Sequence, residues 1–176
     1  MVNIITKYVY YKMFLDLRTI SIRLIEVMTN KIQSQKSIMK FHLFDREKDA
    51  NALLNIYNRA FLVNPDPFQS MNEDDLKDLT DRVIIMVKYL GRDVGFIWFT
   101  IDENNDKKMA TVSIIAVLPE KQRRGVATAL AVYSYEYLKS NNIYHLGCIV
   151  GEKNKDIQNF VKFIGFKKFG EEILEY

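Results

Sequence analysis

Between Ile114 and Leu130 the chain reads Ile-Ile-Ala-Val-Leu-Pro-Glu-Lys-Gln-Arg-Arg-Gly-Val-Ala-Thr-Ala-Leu. A β-branched run, a short basic loop and a helix start follow one another within seventeen residues. Gly125 and Ala127 stand where the backbone must turn into the helix, and small side chains there let a ligand approach the amide groups closely. A helix N-terminus offers several unpaired N–H donors and a partial positive charge. Together these make a phosphate site. Arg123 and Arg124 add positive charge beside it, so the local chemistry calls for an anion such as a pyrophosphate; the same residues also fit an ordinary tight strand-to-helix turn with a solvated basic loop. The loop is not a Walker loop, because no Gly-Lys-Ser/Thr follows, and it lacks the three-glycine spacing of a dinucleotide fingerprint.

Other chemistry-bearing residues are sparse. The single cysteine, Cys148, excludes an internal disulfide and a cysteine-built metal cluster. His42 and His145 are too isolated to suggest a zinc site, so no metal is expected. Residues 1–38 hold six basic side chains (Lys7, Lys12, Arg18, Arg23, Lys31, Lys36) against Asp16 and Glu26, which leaves 39–176 with a net charge of −1. That body lacks the broad positive field of a nucleic-acid binder. The apolar N-terminus is broken repeatedly by charges, so neither stable membrane insertion nor a signal peptide is expected, and a cytoplasmic location is the default.

The elements that must position the loop are legible in outline. In residues 1–38 the apolar side chains Ile4, Tyr8, Tyr11, Leu15, Ile22, Ile25, Met28 and Ile32 step by fours and threes, with Arg18 the one break. This spacing predicts an amphipathic helix, and Thr19 to Ile25 also carries a competing strand-like alternation. The segment is expected to be an N-terminal extension that packs on the domain, supports a homodimer, or lies on a membrane surface. Residues 39–176 form the second unit. Lys40 to Phe44 reads as a strand, and Asp45 caps a helix whose apolar face is Ala50, Leu53, Leu54, Tyr57, Ala60 and Phe61. A loop from Leu62 to Ser70 leads to a short acidic helix over Asn72 to Leu79. Arg82 to Leu90 and Val94 to Ile101 join across Gly91-Arg92-Asp93 as a hairpin. A polar turn at Asp102 to Lys108 and a strand from Ala110 to Val117 follow. Then come a helix from Gly125 to Lys139, a strand from Tyr144 to Val150, a helix from Lys155 to Ile164 stopped by Gly165, and a terminal hairpin. Helices and strands share one core, which predicts an α+β, mixed α/β domain.

The Ile-Ala-Val-x-Pro lead-in, the Gln-Arg-Arg-Gly-Val-Ala loop and the helix after it closely resemble the acetyl-CoA-binding motif of the GNAT superfamily of N-acetyltransferases. A strand ending at Val150, Asn154 opening a helix and Gly165-Phe166 closing it resemble that superfamily's second segment. The resemblance covers 39–176 in element order and is specific in residues over 115–130 and 154–166. It implies a central, mostly antiparallel sheet splayed between the strands ending at Val117 and Val150, with the pantetheine arm of acetyl-CoA in the splay. Backbone groups of Ile115, Ala116 and Val117 would pair with the arm. Amides of Arg123, Arg124, Gly125, Val126, Ala127 and Thr128, with Gln122 nearby, would hold the pyrophosphate. Asn154 would contact the arm or cap its helix. An amine on a small molecule or peptide would attack the thioester directly, making the chain an acetyl-CoA-dependent N-acyltransferase. The loop holding Asp66 and Phe68 lies where the family builds its acceptor wall.

Two positions depart from the pattern. The tyrosine that many members place four residues before the closing glycine is Val161, and the glutamate some place five before the asparagine is Ile149. Neither acid nor base carries over, which raises an alternative: a catalytically silent acyl-CoA-binding sensor. Glu103, Ser113, His145 and Glu152 are the candidate bases or water-holders. Without a strong base, an amine of lowered pKa is the easier acceptor. A lysine amine near 10.4 costs about 4 kcal/mol to neutralise at pH 7, an α-amino group near 8 roughly 1.4 kcal/mol.

Overall fold

A computed structural model describes residues 6–77, 79, 82–104 and 107–175. In chain order the elements are β1 (Lys7–Asp16), α1 (Ile22–Ile32), β2 (Met39–Leu43), α2 (Arg46–Leu62), β3 (Arg82–Tyr89), β4 (Arg92–Asn104), β5 (Lys107–Val117), α3 (Val126–Ser140), β6 (His145–Gly151), α4 (Lys155–Ile164) and β7 (Lys167–Glu175). The strands form one seven-stranded sheet in the order β2-β3-β4-β5-β6-β1-β7. Every neighbouring pair is antiparallel except β5 and β6, which run parallel because α3 carries the chain back between them. The mixed α/β, mostly antiparallel architecture expected from the sequence is the one observed.

Local signals explain most elements. Asp45 caps α2 by accepting from the Glu47 amide. Leu90 and Gly91 both adopt positive φ, the primed-turn geometry that suits a two-residue hairpin between β3 and β4. The central strands bury Ile84 to Val87 on one side of that turn and Phe96 to Phe99 on the other. Continuous apolar runs of this kind belong to a sheet covered on both faces. α3 lies on the face carrying Gly95, where an added Cβ would meet Val117 and Val126 at 3.3 and 3.4 Å. α2 lies on the opposite face, with Asp49 reaching His42 of β2.

The N-terminal segment is where sequence and structure differ. Ser21 caps α1, and the helical spacing of Ile22, Ile25, Met28 and Ile32 is realised there. Lys7–Asp16, however, is a strand rather than the first half of that helix. It is inserted between β6 and β7 and hydrogen-bonded to both. Its buried residues are Met13 and Leu15, two apart, the period of a strand. Tertiary pairing has overridden a helical spacing that the aromatic, β-branched composition of Tyr-Val-Tyr-Tyr never favoured. Ile4 lies outside the described residues.

Two smaller expectations also change. The chain ends on one strand, β7, which pairs with β1 instead of folding into a terminal hairpin. The acidic helix shrinks to a single 3-10 turn, Glu73–Leu76, closed by a capping box between Asn72 and Asp75. The tip of the polar turn after β4, residues 105–106, lies outside the described residues.

Candidate active site

Parallel pairing of β5 with β6 runs from Met109 opposite His145 to Val112 opposite Cys148 and goes no further. Beyond that point Ser113 to Val117 and Ile149 to Gly151 diverge, so the sheet is open at this end. A register shift in β5 begins the opening: Trp98 pairs Ile114 and Phe99 pairs Val112, which leaves Ser113 as the extra residue of a bulge. Ser113 Oγ lies 2.9 Å from Thr100 Oγ1.

A cavity of about 300 Å³ occupies the opening. Ile114, Ile115, Ile149 and Val150 line it from the strands, Ala131 and Tyr135 from α3, and Ile157 and Val161 from α4. Cys148 also lines it, and burial pushes its thiol up to about 12. The cysteine is therefore a neutral, apolar wall group.

At the mouth, the loop from Leu118 to Gly125 turns into α3. Arg123 and Gly125 both adopt positive φ, near +59° and +78°. Gln122 Nε2 donates to the Val117 carbonyl at 3.1 Å and so ties the loop to the end of β5. Gly125 is the N-cap of α3 and has no side-chain oxygen to satisfy the helix amides. The first amide of the turn with a backbone acceptor is Ala129, which donates to the Gly125 carbonyl at 2.9 Å. Among the described residues, no carbonyl accepts from the amides of Arg123 to Thr128. Six consecutive N–H groups thus lack a backbone acceptor at the positive end of a fifteen-residue helix, a setting that favours anions. Arg123 pairs with Asp156 at 2.8 Å, bridging this loop to the start of α4, and both side chains are exposed.

Across the opening, on the α2 face, a second polar group has formed. Asn154 caps α4 by accepting from the Ile157 amide at 3.3 Å. Its Nδ2 donates to Asn64 Oδ1 and to Asp66 Oδ2, each at 3.0 Å. Asn64 Oδ1 also accepts from the Asp66 amide at 3.2 Å. The loop after α2 is thereby fastened to the end of β6. A Cβ built on Gly151 would overlap Asp66 Oδ1, so only glycine admits the carboxylate there. Asp66, Asn64 and Pro67 line the cavity; the other loop residue singled out in the sequence, Phe68, lies against Tyr57 of α2 at 6.1 Å between ring centroids.

Of the four candidate bases, the structure brings only Ser113 to the cavity wall. Glu103 pairs with Lys108 at 3.7 Å on the β4–β5 hairpin. His145 stacks on Phe14 at the paired end of β6. Glu152 accepts from the Tyr11 hydroxyl at 3.0 Å, an interaction that raises the Tyr11 pKa above its usual value. His42 sits against Asp49 at 3.2 Å and Asp93 at 3.7 Å, with Lys88 also on Asp93, away from the cavity. Sequence reasoning missed Asn64 and Tyr10, both of which line the cavity. No local signal marks Tyr10, because its place opposite Gly151 depends on strand pairing across 141 residues.

Residues 50–166 match the model of the GNAT acetyltransferase family. The chain belongs to that family. This GNAT chain is 26% identical over 136 residues to the mycothiol acetyltransferase of Acidimicrobium ferrooxidans, a match covering 72% of the chain and 43% of that protein. It therefore spans less than half the length of that curated relative. Among solved structures, an aminoglycoside acetyltransferase from an uncultured soil metagenomic sample superposes with a TM-score of 0.62 at 12% identity, covering 74% of this chain and 89% of that one. The C-terminal domain of a putative lysylphosphatidylglycerol synthetase from Agrobacterium fabrum gives 0.68 at 10% identity, covering 96% of this chain and 61% of that one. Coverage that high takes in the N-terminal strand and helix of the GNAT chain as well as its open sheet. Acetyl transfer is the chemistry for which that family is named. No helix among the described residues is long and apolar enough to cross a membrane.

Proposed function

We propose that this protein is an N-acetyltransferase that moves the acetyl group of acetyl-CoA to a primary amine of a small molecule or peptide. The observation that carries the reading is the run of unpaired amides from Arg123 to Thr128 at the mouth of an apolar, opened sheet. The amides, with Gln122 shaping the loop and Arg123 and Arg124 beside it, suit a pyrophosphate. The edges of Ile115, Ala116 and Val117, which have no strand partner on the β6 side, suit the amides of a pantetheine arm. Asn154, at the far end of the opening, holds the acceptor-side loop and borders the arm.

In this reading the amine nitrogen forms its bond to the thioester carbon and the carbon–sulfur bond breaks. Its electron pair leaves on sulfur, and the nitrogen's proton passes to solvent or a nearby carboxylate. Positioning supplies most of the acceleration, since a fixed attack geometry removes much of the entropic barrier.

Titrating the protein calorimetrically with acetyl-CoA and CoA, then following thiol release against a panel of amines, tests this. Binding with thiol release is the expected result. Binding with no release against any amine would favour the catalytically silent sensor, the reading that the apolar Val161 and Ile149 support. No binding of either nucleotide would remove the assignment of the loop.

A further inference from the structure

The α2-side chamber has a composition that specifies its occupant. Among the described residues lining the cavity, Asp66 is the only one with a charged side chain. Among the described residues no cation pairs with it and its Oδ1 accepts no hydrogen bond, while its Oδ2 accepts from Asn154 Nδ2 at 3.0 Å. Around it the wall is apolar or aromatic: Ile149, Phe61, Pro67, Ile114 and Tyr10.

Tyr10 comes from the N-terminal strand. It is the register partner of Gly151, so its side chain rises on the same face of the sheet as the glycine's missing one. That is the space Asp66 enters. Tyr10 and Asp66 therefore flank the same glycine from two separate segments of the chain. On the same face Glu172 of β7 stands opposite Tyr10 and pairs with Lys12 at 3.3 Å, and Lys153 lies over the Tyr8 ring at 4.9 Å, so these charges already have partners. The chamber offers one uncompensated negative charge in an apolar setting.

Resting on the acetyltransferase reading above, we infer that the acceptor is an amine carrying a single positive charge on an apolar or aromatic body. Asp66 binds its ammonium group, and Tyr10 of β1 forms part of the wall that holds the body. A single carboxylate balances a single ammonium. A polyamine or aminoglycoside would bring further charges against Ile149, Phe61 and Tyr10, where nothing repays their desolvation. The exposed Ile149, 52% accessible, leaves the entrance apolar as well.

The test uses the full chain saturated with CoA and titrated calorimetrically with three probes: 2-phenylethylamine, its uncharged analogue 2-phenylethanol, and spermidine. The phenylethylamine is expected to bind about tenfold or more tighter than either other probe, as one charge-assisted contact allows. Asp66→Asn keeps the oxygen that Asn154 contacts but removes the charge, and should abolish the gap between amine and alcohol. Tyr10→Ser should weaken both aromatic probes together and leave that gap in place. Thiol release from acetyl-CoA should rank the amines in the same order.

Spermidine binding as tightly as the phenylethylamine would overturn the inference, as would an undiminished gap in Asp66→Asn. Either result alongside normal acetyl-CoA binding leaves the transferase reading standing. Failure of acetyl-CoA itself to bind would bring down both.

Discussion

The two sides of the opened sheet are built from different materials. On the α3 side the proposed anion cradle is backbone: six amides presented by one turn within Arg123 to Thr128. On the α2 side the chamber is made of side chains from three distant segments, Tyr10, Asn64 with Asp66, and Gly151 with Asn154. A backbone site depends on the shape of one loop and tolerates changes in the side chains around it. A side-chain site depends on three elements meeting, so a single substitution retunes it. One fold can in this way keep a constant donor and vary its acceptor.

The contrast can be broken at several points, beginning with the strand that both sides share. Leu15 of β1 is 3% exposed and lies close to Gly165. Leu15→Ala should cost about 2–5 kcal/mol of stability, read from denaturant midpoints, because the cavity it leaves cannot collapse fully. An effect below 1 kcal/mol would mean that β1 is an appendage to the fold. Gly151→Ala acts on the acceptor side alone. Its methyl group displaces Asp66 and the loop around it, and transfer should fall about 10²-fold, the scale of an ångström misplacement at a reacting centre. Acetyl-CoA affinity should fall far less, within about fivefold, since the loop amides stay in place and Asn154 beside the arm loses only its Asp66 partner. Loss of both together would show that the two sides are mechanically one.

Gln122→Ala attacks the other side. It removes the bond that ties the loop to Val117, and should weaken acetyl-CoA binding by about fivefold to tenfold, the worth of one hydrogen bond. The amine KM should not change. Arg123→Ala breaks only an exposed ion pair, so stability should shift by less than about 0.5 kcal/mol, while the salt dependence of acetyl-CoA binding should flatten.

The smallest effect concerns pH. Hydrogen bonds from Arg18 hold the Asp16 carboxyl at about 2. A depressed folded-state pKa contributes stability that is complete above the unfolded value, near 3.9, and is lost as pH falls toward 2. Acid titration of Asp16→Asn beside the parent should therefore give curves that approach each other below about pH 4 and converge only as pH falls through about 2, and no convergence would place Asp16 outside that linkage.

The same division explains what could be seen in the sequence. The strand–loop–helix turn over 114–130 was legible because everything it needs is contiguous: a β-branched strand, a glycine at positive φ and a helix start. The order of elements along 39–164, the hairpin turn at Gly91 and the caps at Asp45 and Asn154 were legible for the same reason. β1 was not. Its apolar residues satisfy a helical spacing locally, and only pairing with β6 and β7, about 130 residues or more away, makes the strand the better choice. Tyr10 was hidden with it. Asp66 was visible as a loop carboxylate, but its docking on Gly151 required knowing which glycine lay beneath it.

The position of β1 also constrains how the chain assembles. β7 reaches the sheet through β1 alone, and β1 has no partner until β6 exists. During synthesis the tyrosine-rich first strand leaves the ribosome ahead of everything it will pair with. Its edges wait unpaired for the time needed to make some 130 residues, several seconds to tens of seconds at ordinary elongation rates. Closing this half of the sheet must wait for β6 and β7 to be made, and that interval is when the strand is most open to pairing with the wrong chain.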